Sequence, residues 1–354
     1  MYEKAYGIIE TCAPVHVGAS AGEETGNLNL IFRDPFLQTG MIPGSSIRGR
    51  FRADMRWQRQ RSLETNLKAK GVEIPPYYET EFEIEVPESD EEKSQKSDTK
   101  EGESEKEPKL KKVSRLKWLE HQAEQHEVKI LKNVDENHWY GHEAVRGKKD
   151  STTEALVKFE YASLLWLPVF CPGQPIVWVS CPQLLKRYKS IAKVDGSVPK
   201  PEGETYPVML PKKENRLFFS LGFIDNLQQM PSLNDWVPKN SEIAPDRLVV
   251  VNDADMASIH EMALYRQSRV RLDDTEKKVA GGAFFNVEAL PEGSILAFPV
   301  ALKQEANVEK KSDRWDPFNG ESDKDLYMGG LESIGFGRCK VTLRGNYFQN
   351  NNTK

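Results

Sequence analysis

The sequence has no apolar run approaching the ~18 residues that a membrane-crossing helix requires. Its first ten residues, MYEKAYGIIE, have neither a basic n-region nor an apolar h-region, so no secretion signal and no membrane partner is expected. Cysteine is scarce: Cys12, Cys171, Cys181 and Cys339 are scattered, without a C-x-x-C pair. That excludes a disulfide scaffold and the usual zinc spacings, and it predicts a reduced, cytoplasmic setting. Histidine is nearly as scarce, and its one cluster is His138-Trp139-Tyr140-Gly141-His142, with His121 and His126 upstream. Two histidines at i, i+4 suit a metal on a helix. Gly141 and the aromatics disfavour a regular helix, so ordinary packing is expected and no metal site. Between Glu88 and Lys112 there is no aromatic residue, and nearly every position is charged or small. Such a stretch cannot bury enough apolar surface to order itself and is expected to be disordered or a solvated loop.

A net charge of −5 argues against a polyanion partner until its distribution is considered. Residues 79–107 hold 13 acids against 4 lysines, a net of −9, so the rest of the chain carries +4. A mildly basic body with one acidic segment is compatible with RNA binding.

The richest stretch is Arg33 to Arg61, RDPFLQTGMIPGSSIRGRFRADMRWQRQR. Pro43-Gly44 is a turn signal, and Ser45-Ser46 supplies a hydroxyl for a helix N-cap. Ile47, Phe51 and Met55 recur at i, i+4 and i+8, a stripe that can bury against a sheet. Arg48, Arg52, Arg56 and Arg59 form a second stripe at the same period. Its steps of roughly 6 Å along the axis approach the phosphate spacing of an extended strand. The helix N-terminus also favours phosphate. A solvated basic face is the plain alternative.

Along the chain, 2–12 reads as a first strand and 18–26 as a small-residue loop; the Arg-bearing helix then runs to about 68–71. Residues 77–86 alternate apolar and acidic side chains like a hairpin arm, and 116–128 suits a short helix. Residues 155–170 read as two strands, 176–180 as a buried strand, and Pro182 as N1 of a helix whose apolar face is Leu184, Leu185, Tyr188 and Ile191. Arg216 to Phe223 suits short strands and Arg247 to Val251 a buried one, with a helix from Asn252 or Asp253 through Arg266. This order of strands and helices predicts an α+β, ferredoxin-like (RRM-like) core.

Two further stretches carry functional promise. In 265–289, Arg269, Arg271, Lys277 and Lys278 flank an Asp273-Asp274 turn, with a Gly-Gly-aromatic returning arm. A basic hairpin with aromatics at its base suits insertion beside stacked bases, or else it is an edge guarded by charge. The second, Met328 to Gly337, is glycine-rich and followed by a strand to Arg344, with Cys339, Val341 and Leu343 inward and Arg338, Lys340, Thr342 and Arg344 outward. Such a loop lets backbone N–H groups approach phosphate, or simply makes a tight turn. No Gly-Lys-Ser/Thr follows, so it is not a nucleotide P-loop.

RDPFLQTGMIPGSSIRGRFR, preceded by Pro14-Val15-His16-Val17-Gly18, resembles the N-terminal signature of the RAMP superfamily, the backbone subunits of type III CRISPR effector complexes. FEYASLLWLPVF…IVWVSCPQLLKRY and the hairpin before Leu290-Pro291-Glu292-Gly293 resemble the Cmr-type (III-B) subunit, and the glycine-rich loop is similar to the family's C-terminal one. The resemblance covers 1–70 and 155–345. It implies a palm of 1–71 and 151–347, a thumb hairpin at 265–289 that wedges the guide–target duplex, an insertion at 72–150 and a tail at 348–354. It implies that guide RNA, complementary target RNA and other effector subunits are the partners. The expected RNA contacts are His16, Ser45, Ser46, Arg48, Arg50, Arg52 and Arg56 in the first part. Arg269, Arg271, Lys277 and Lys278 belong to the thumb, and Gly329, Gly330, Ser333, Gly335, Gly337 and Arg338 to the glycine-rich loop.

The family's catalytic aspartate, by the same resemblance, falls on Leu28, between Asn27 and Asn29, none of which can act as a base. Where the family has an acid followed by Tyr at the end of the thumb, this chain has Glu288-Ala289. RNA holding without cleavage is therefore expected, and no cofactor. Glu23, Glu24, His16 and Glu288 are the fallback catalytic groups, with a divalent metal, if cleavage is retained. A protein-interaction module acting through the acidic insertion is the alternative of another class.

Overall fold

The structure is a computed structural model that describes all residues except 19–27, 87–108, 130, 143–151, 212–214, 273–278, 304–313 and 350–354. In chain order, β1 (Tyr2–Thr11), β2 (Leu28–Asn29) and β3 (Met41–Ile42) lead into α1 (Gly44–Ala69). Then come β4 (Phe82–Val86), β5 (Lys109–Val113), α2 (Arg115–Gln125) and α3 (Glu136–Tyr140). β6 (Val157–Phe159), β7 (Ala162–Cys171), β8 (Gln174–Ser180), α4 (Pro182–Ala192), β9 (Tyr206–Met209), β10 (Arg216–Phe219), β11 (Gly222–Asp225) and β12 (Leu227–Gln229) follow. The chain closes with β13 (Leu248–Val250), α5 (Asp253–Ala263), β14 (Tyr265–Leu272), β15 (Val279–Ala289), β16 (Ile295–Lys303), β17 (Asp323–Tyr327) and β18 (Arg338–Arg344).

The chain divides into two units. The first holds Met1–Phe51, Glu154–Ala306 and Phe318–Lys354; the second holds Arg52–Thr153 and a short stretch ending at Pro317. The boundary thus falls within α1, some twenty residues before the expected insertion.

The first unit is built on a sheet in the order β12-β9-β13-β8-β7-β16-β1-β18-β17, with β3 pairing β7 and β6 pairing β16. At its heart β18, β1, β16 and β7 pair antiparallel, the order 4-1-3-2 among these four in chain sequence. The architecture is α+β with a sheet much larger than a four-stranded core. Among the described residues the link from β16 to β18 carries β17 and a 3-10 turn in place of a helix. β7 is buried on both faces over almost its whole length, so its near-continuous apolar run belongs at the centre of the sheet. Leu185 and Tyr188 of α4 pack with Trp166, Leu165, Trp236 and Leu248 in one cluster, and the Trp166 indole N–H donates to the Trp236 carbonyl at 3.0 Å. Gly7 makes room for an aromatic ring, since a Cβ there would lie 2.0 Å from the Phe298 ring on the facing strand.

In the second unit Leu63 and Leu67 of α1 pack with Leu119 and Ala123 of α2. β4 pairs antiparallel with β5 from Phe82↔Val113 to Val86↔Lys109. Lys109 to Lys112 is therefore strand, a correction to the expectation of disorder through Lys112; the rest of that stretch lies outside the described residues. Two further boundaries shift. α5 ends at Ala263, three residues early, because Leu264 is already extended and Tyr265 opens β14. Thr342, expected outward, is buried in β18.

Candidate nucleic-acid interface

β14 and β15 form the expected antiparallel hairpin, in register from Tyr265↔Ala289 to Leu272↔Val279 with a bulge after Val270. β2 adds to its base as a parallel third strand, Leu28 opposite Asn286 and Asn29 opposite Val287. The loop after β1 joins the same place: Val15 and Leu290 exchange both backbone hydrogen bonds at 2.9 Å. His16 Nδ1 lies 2.6 Å from the Glu288 carbonyl oxygen. A carbonyl only accepts, so Nδ1 carries the proton and Nε2 is left as the basic nitrogen.

Glu288 itself is fully buried. Its carboxylate accepts from Arg33 Nη2 at 2.7 Å, from Arg266 Nη2 at 3.4 Å and from the Ile31 N–H at 3.3 Å. Glu261 closes the circuit, taking Arg33 Nη1 at 2.7 Å and also pairing with Arg266. Four alternating charges thus tie the segment between β2 and β3, the end of α5 and both hairpin arms together. The Glu288 carboxylate, expected as a fallback catalytic group, is engaged in this ring. Arg33 does not pair with its neighbour Asp34, whose Oδ1 instead accepts the Phe36 and Leu37 N–H groups at 2.9 and 2.8 Å. Beside the ring, His260 is buried with Nε2 accepting the Gly40 N–H at 2.8 Å. Burial, then the charges of Arg33 and Arg266, push its pKa down to about 3, so the imidazole is neutral as the acceptor role requires. Neither Glu261 nor His260 was expected at this place; no local motif marks them.

The glycine-rich loop is folded onto residues 14–17. Gly330 N–H donates to the His16 carbonyl at 3.0 Å, Gly337 N–H to Pro14 at 2.9 Å, and Gly335 N–H to Glu332 at 3.1 Å. These three N–H groups are thus engaged with backbone carbonyls, two of them on residues 14–17. Gly329 has φ +83°, and a Cβ there would sit 2.2 Å from the His16 oxygen. Close backbone contact is what demands glycine. Ser333 lies in the 3-10 turn Glu332–Ile334, and Arg338 is exposed at the start of β18.

Ile47, Phe51 and Met55 of α1 are buried as their spacing predicts. The helix begins at Gly44, and the Pro43 carbonyl accepts from Ser46 and Ile47 N–H, so Ser45 and Ser46 lie inside the first turn and do not cap it. The arginine ladder divides. In the first unit Arg48 and Arg50 are half-exposed, with Arg50 Nη1 4.0 Å from Glu332. In the second unit the ladder meets acids. Arg59, 6% exposed, pairs with Glu120, Asp135 and Glu136 at 2.8 to 3.5 Å. Arg56 reaches the same buried Glu136 at 3.4 Å, and Arg52 donates to Asn137 Oδ1 at 3.0 Å. Arg52 and Arg56 are thus engaged with α3 and its approach.

Glu23, Glu24, Lys277 and Lys278 lie outside the described residues. Arg269 and Arg271 are on β14, Arg269 opposite Phe285. His138 stacks edge-on against Trp139 at 4.8 Å, and His142 bridges to Thr153. Among the described residues no three or more of His, Cys, Asp and Glu are placed to hold a metal ion, and no helix is long and apolar enough to cross a membrane.

Comparison with solved structures finds the same fold over nearly the whole chain. A chain of the type III-B Cmr-beta complex bound to cognate target RNA matches with TM-score 0.54 and 15% identity, covering 96% of both chains. The apo state of Cmr-beta gives 0.56 and 16%, covering 98% of each. Oligomeric Cmr4 from Pyrococcus furiosus gives 0.55 and 14%, covering 97% of this chain and 99% of that one. No curated protein sequence matches. A sequence profile of the RAMP superfamily matches residues 8–340. With that span matched, the chain belongs to the RAMP superfamily.

Proposed function

We propose that this chain is a backbone subunit of a type III CRISPR effector complex that holds guide RNA and does not cut its target. In this reading the basic start of α1 grips guide phosphates, and β14–β15 is the thumb that wedges the guide–target duplex. The partners are guide RNA, complementary target RNA and the other effector subunits, in the cytoplasm. Solved structures of like fold support it, one of them bound to cognate target RNA.

One observation carries the loss of cleavage. β2 sets position 28 at the base of the hairpin, in register with Asn286 and two residues from Glu288 on the opposing strand. Leucine at this position supplies neither a proton acceptor nor a charge for a metal. Attack by a 2′-OH needs in-line geometry together with a group that moves a proton or holds a metal. His16 retains a basic Nε2, one half of such a pair, and Glu288 is locked in its ion ring. His16 also favours the second reading, a working endoribonuclease in which Glu23 or Glu24 supplies the acid.

The assembled complex, incubated with guide-matched RNA and divalent metal, should leave the target intact over a long time course. Fragments at a fixed spacing, abolished by His16→Ala in this chain, would replace the first reading with the second. Arg48→Ala should weaken RNA binding about equally for all sequences and lower the salt slope by about one.

A further inference from the structure

Away from the hairpin base, the first unit has a cleft of about 380 Å³ between the turn after Arg33 and the outer side of α4. Its lining is aliphatic at Leu37, Met41 and Leu184 and polar at the buried Thr39 and Ser163. Phe36 stands on one rim, 86% exposed, an uncommon placement for so large an apolar side chain. The turn that carries it is pinned by the two Asp34 side-chain bonds and by Gln38 N–H to the Asp34 carbonyl at 2.9 Å. An aromatic presented on a closed turn loses little freedom when it is covered.

The other rim is cationic. Arg187 lies 3.9 Å over the Tyr161 ring, its Nε bonded to Ser163 Oγ at 3.0 Å and Nη2 to the Tyr161 carbonyl at 3.3 Å. Its plane is therefore fixed in advance. Its ion-pair partner Glu160 is 3.5 Å away and mostly exposed, a pairing of small worth. Lys186, exposed one residue earlier on α4, adds a second positive charge. Asp34 shares the cleft, but its Oδ1 is committed to backbone.

We infer that this cleft docks an acidic peptide segment of a partner protein. An apolar side chain of the segment enters between Phe36 and Leu184, and a flanking carboxylate meets Arg187 and Lys186. A planar, preset guanidinium beside Leu37, Met41 and Leu184 suits a carboxylate that flanks an apolar side chain, and the Arg187–Lys186 pair favours an acidic partner. Nucleic acid fits less well. Tyr161, a ring that could stack on a base, is already covered by Arg187.

The test uses the full chain and a fluorescein-labelled peptide, YYETEFEIEV, in which apolar residues alternate with carboxylates. Its lysine counterpart, YYKTKFKIKV, is the control. Fluorescence anisotropy should show saturable binding of the acidic peptide and at least tenfold weaker binding of the control. Lys186→Glu and Phe36→Ala, both at exposed positions, should each weaken the acidic peptide at least fivefold with an unchanged thermal melt. A six-nucleotide single-stranded RNA, measured alongside, should bind all three proteins equally. Absence of acidic-peptide binding, equal binding of the two peptides, or indifference to both substitutions would overturn the assignment. So would RNA binding that falls with both substitutions, which would give the cleft to nucleic acid. Loss of RNA binding in Arg48→Ala with peptide binding intact would leave this site standing apart from the RNA face.

Discussion

At the scale of single residues the ion ring around Glu288 decides most. Arg33 is followed directly by Asp34, yet its partners Glu261 and Glu288 lie 228 and 255 residues away in sequence. Adjacent side chains on an extended segment point to opposite sides, so adjacency carries no pairing information. Glu288→Ala should destabilise the chain by about 3 kcal/mol, the low end for breaking a buried pair because Arg33 keeps Glu261. Urea unfolding measures it. His260 sets a pH dependence. Its folded pKa of about 3 lies below the unfolded value near 6.5, so between them the unfolded chain binds the extra proton. Its contribution to stability is complete above about pH 6.5 and falls on acidification by about 1.4 kcal/mol per pH unit. Urea midpoints at pH 7 and pH 5 should differ less in His260→Gln than in the parent, whatever the absolute loss.

At the scale of elements, periodicity was legible where one face is buried. The Ile47, Phe51, Met55 stripe and the Leu184, Leu185, Tyr188 face lie where their spacing puts them. β16 is harder to read, because Pro299 interrupts its run. The structure shows why proline is tolerated in a central strand: β7 pairs with β16 as far as Ala297 and β6 only from Val300, leaving Pro299 in the gap. The glycine-rich loop shows the converse, a motif legible in sequence whose use was not. Gly329→Ala must push a Cβ into the His16 carbonyl and hold alanine at positive φ, so a loss of several kcal/mol is expected. Gly330→Ala meets nothing within 4 Å and should change stability by no more than about 0.5 kcal/mol. Thermal melts of the two variants, side by side, separate packing from mere flexibility.

At the scale of the whole molecule, charge is unevenly placed, net −9 in residues 79–107 and +4 elsewhere. Replacing 88–107 by a neutral Gly-Ser linker of equal length should leave RNA binding intact, since none of the proposed contacts lies there. Reduced complex assembly with RNA binding unchanged would make the acidic segment a protein-contact element of this chain. RNA binding lost with it would count against α1 as the main grip. β4 and β5 should persist in that variant, because their pairing and the α1–α2 apolar contacts lie outside the replaced residues.

Sequence alone determined what depends on local order: an apolar stripe at helical spacing, a hairpin with basic arms and a glycine loop. Tertiary structure decided which charges remain available. Arg56 and Arg59 are met by Glu136, and Arg33 by Glu261 and Glu288, acids remote in the chain that only the folded backbone brings within hydrogen-bond distance. Ion pairing acts over a few ångströms of space and is indifferent to separation along the chain, so no local pattern could have announced it.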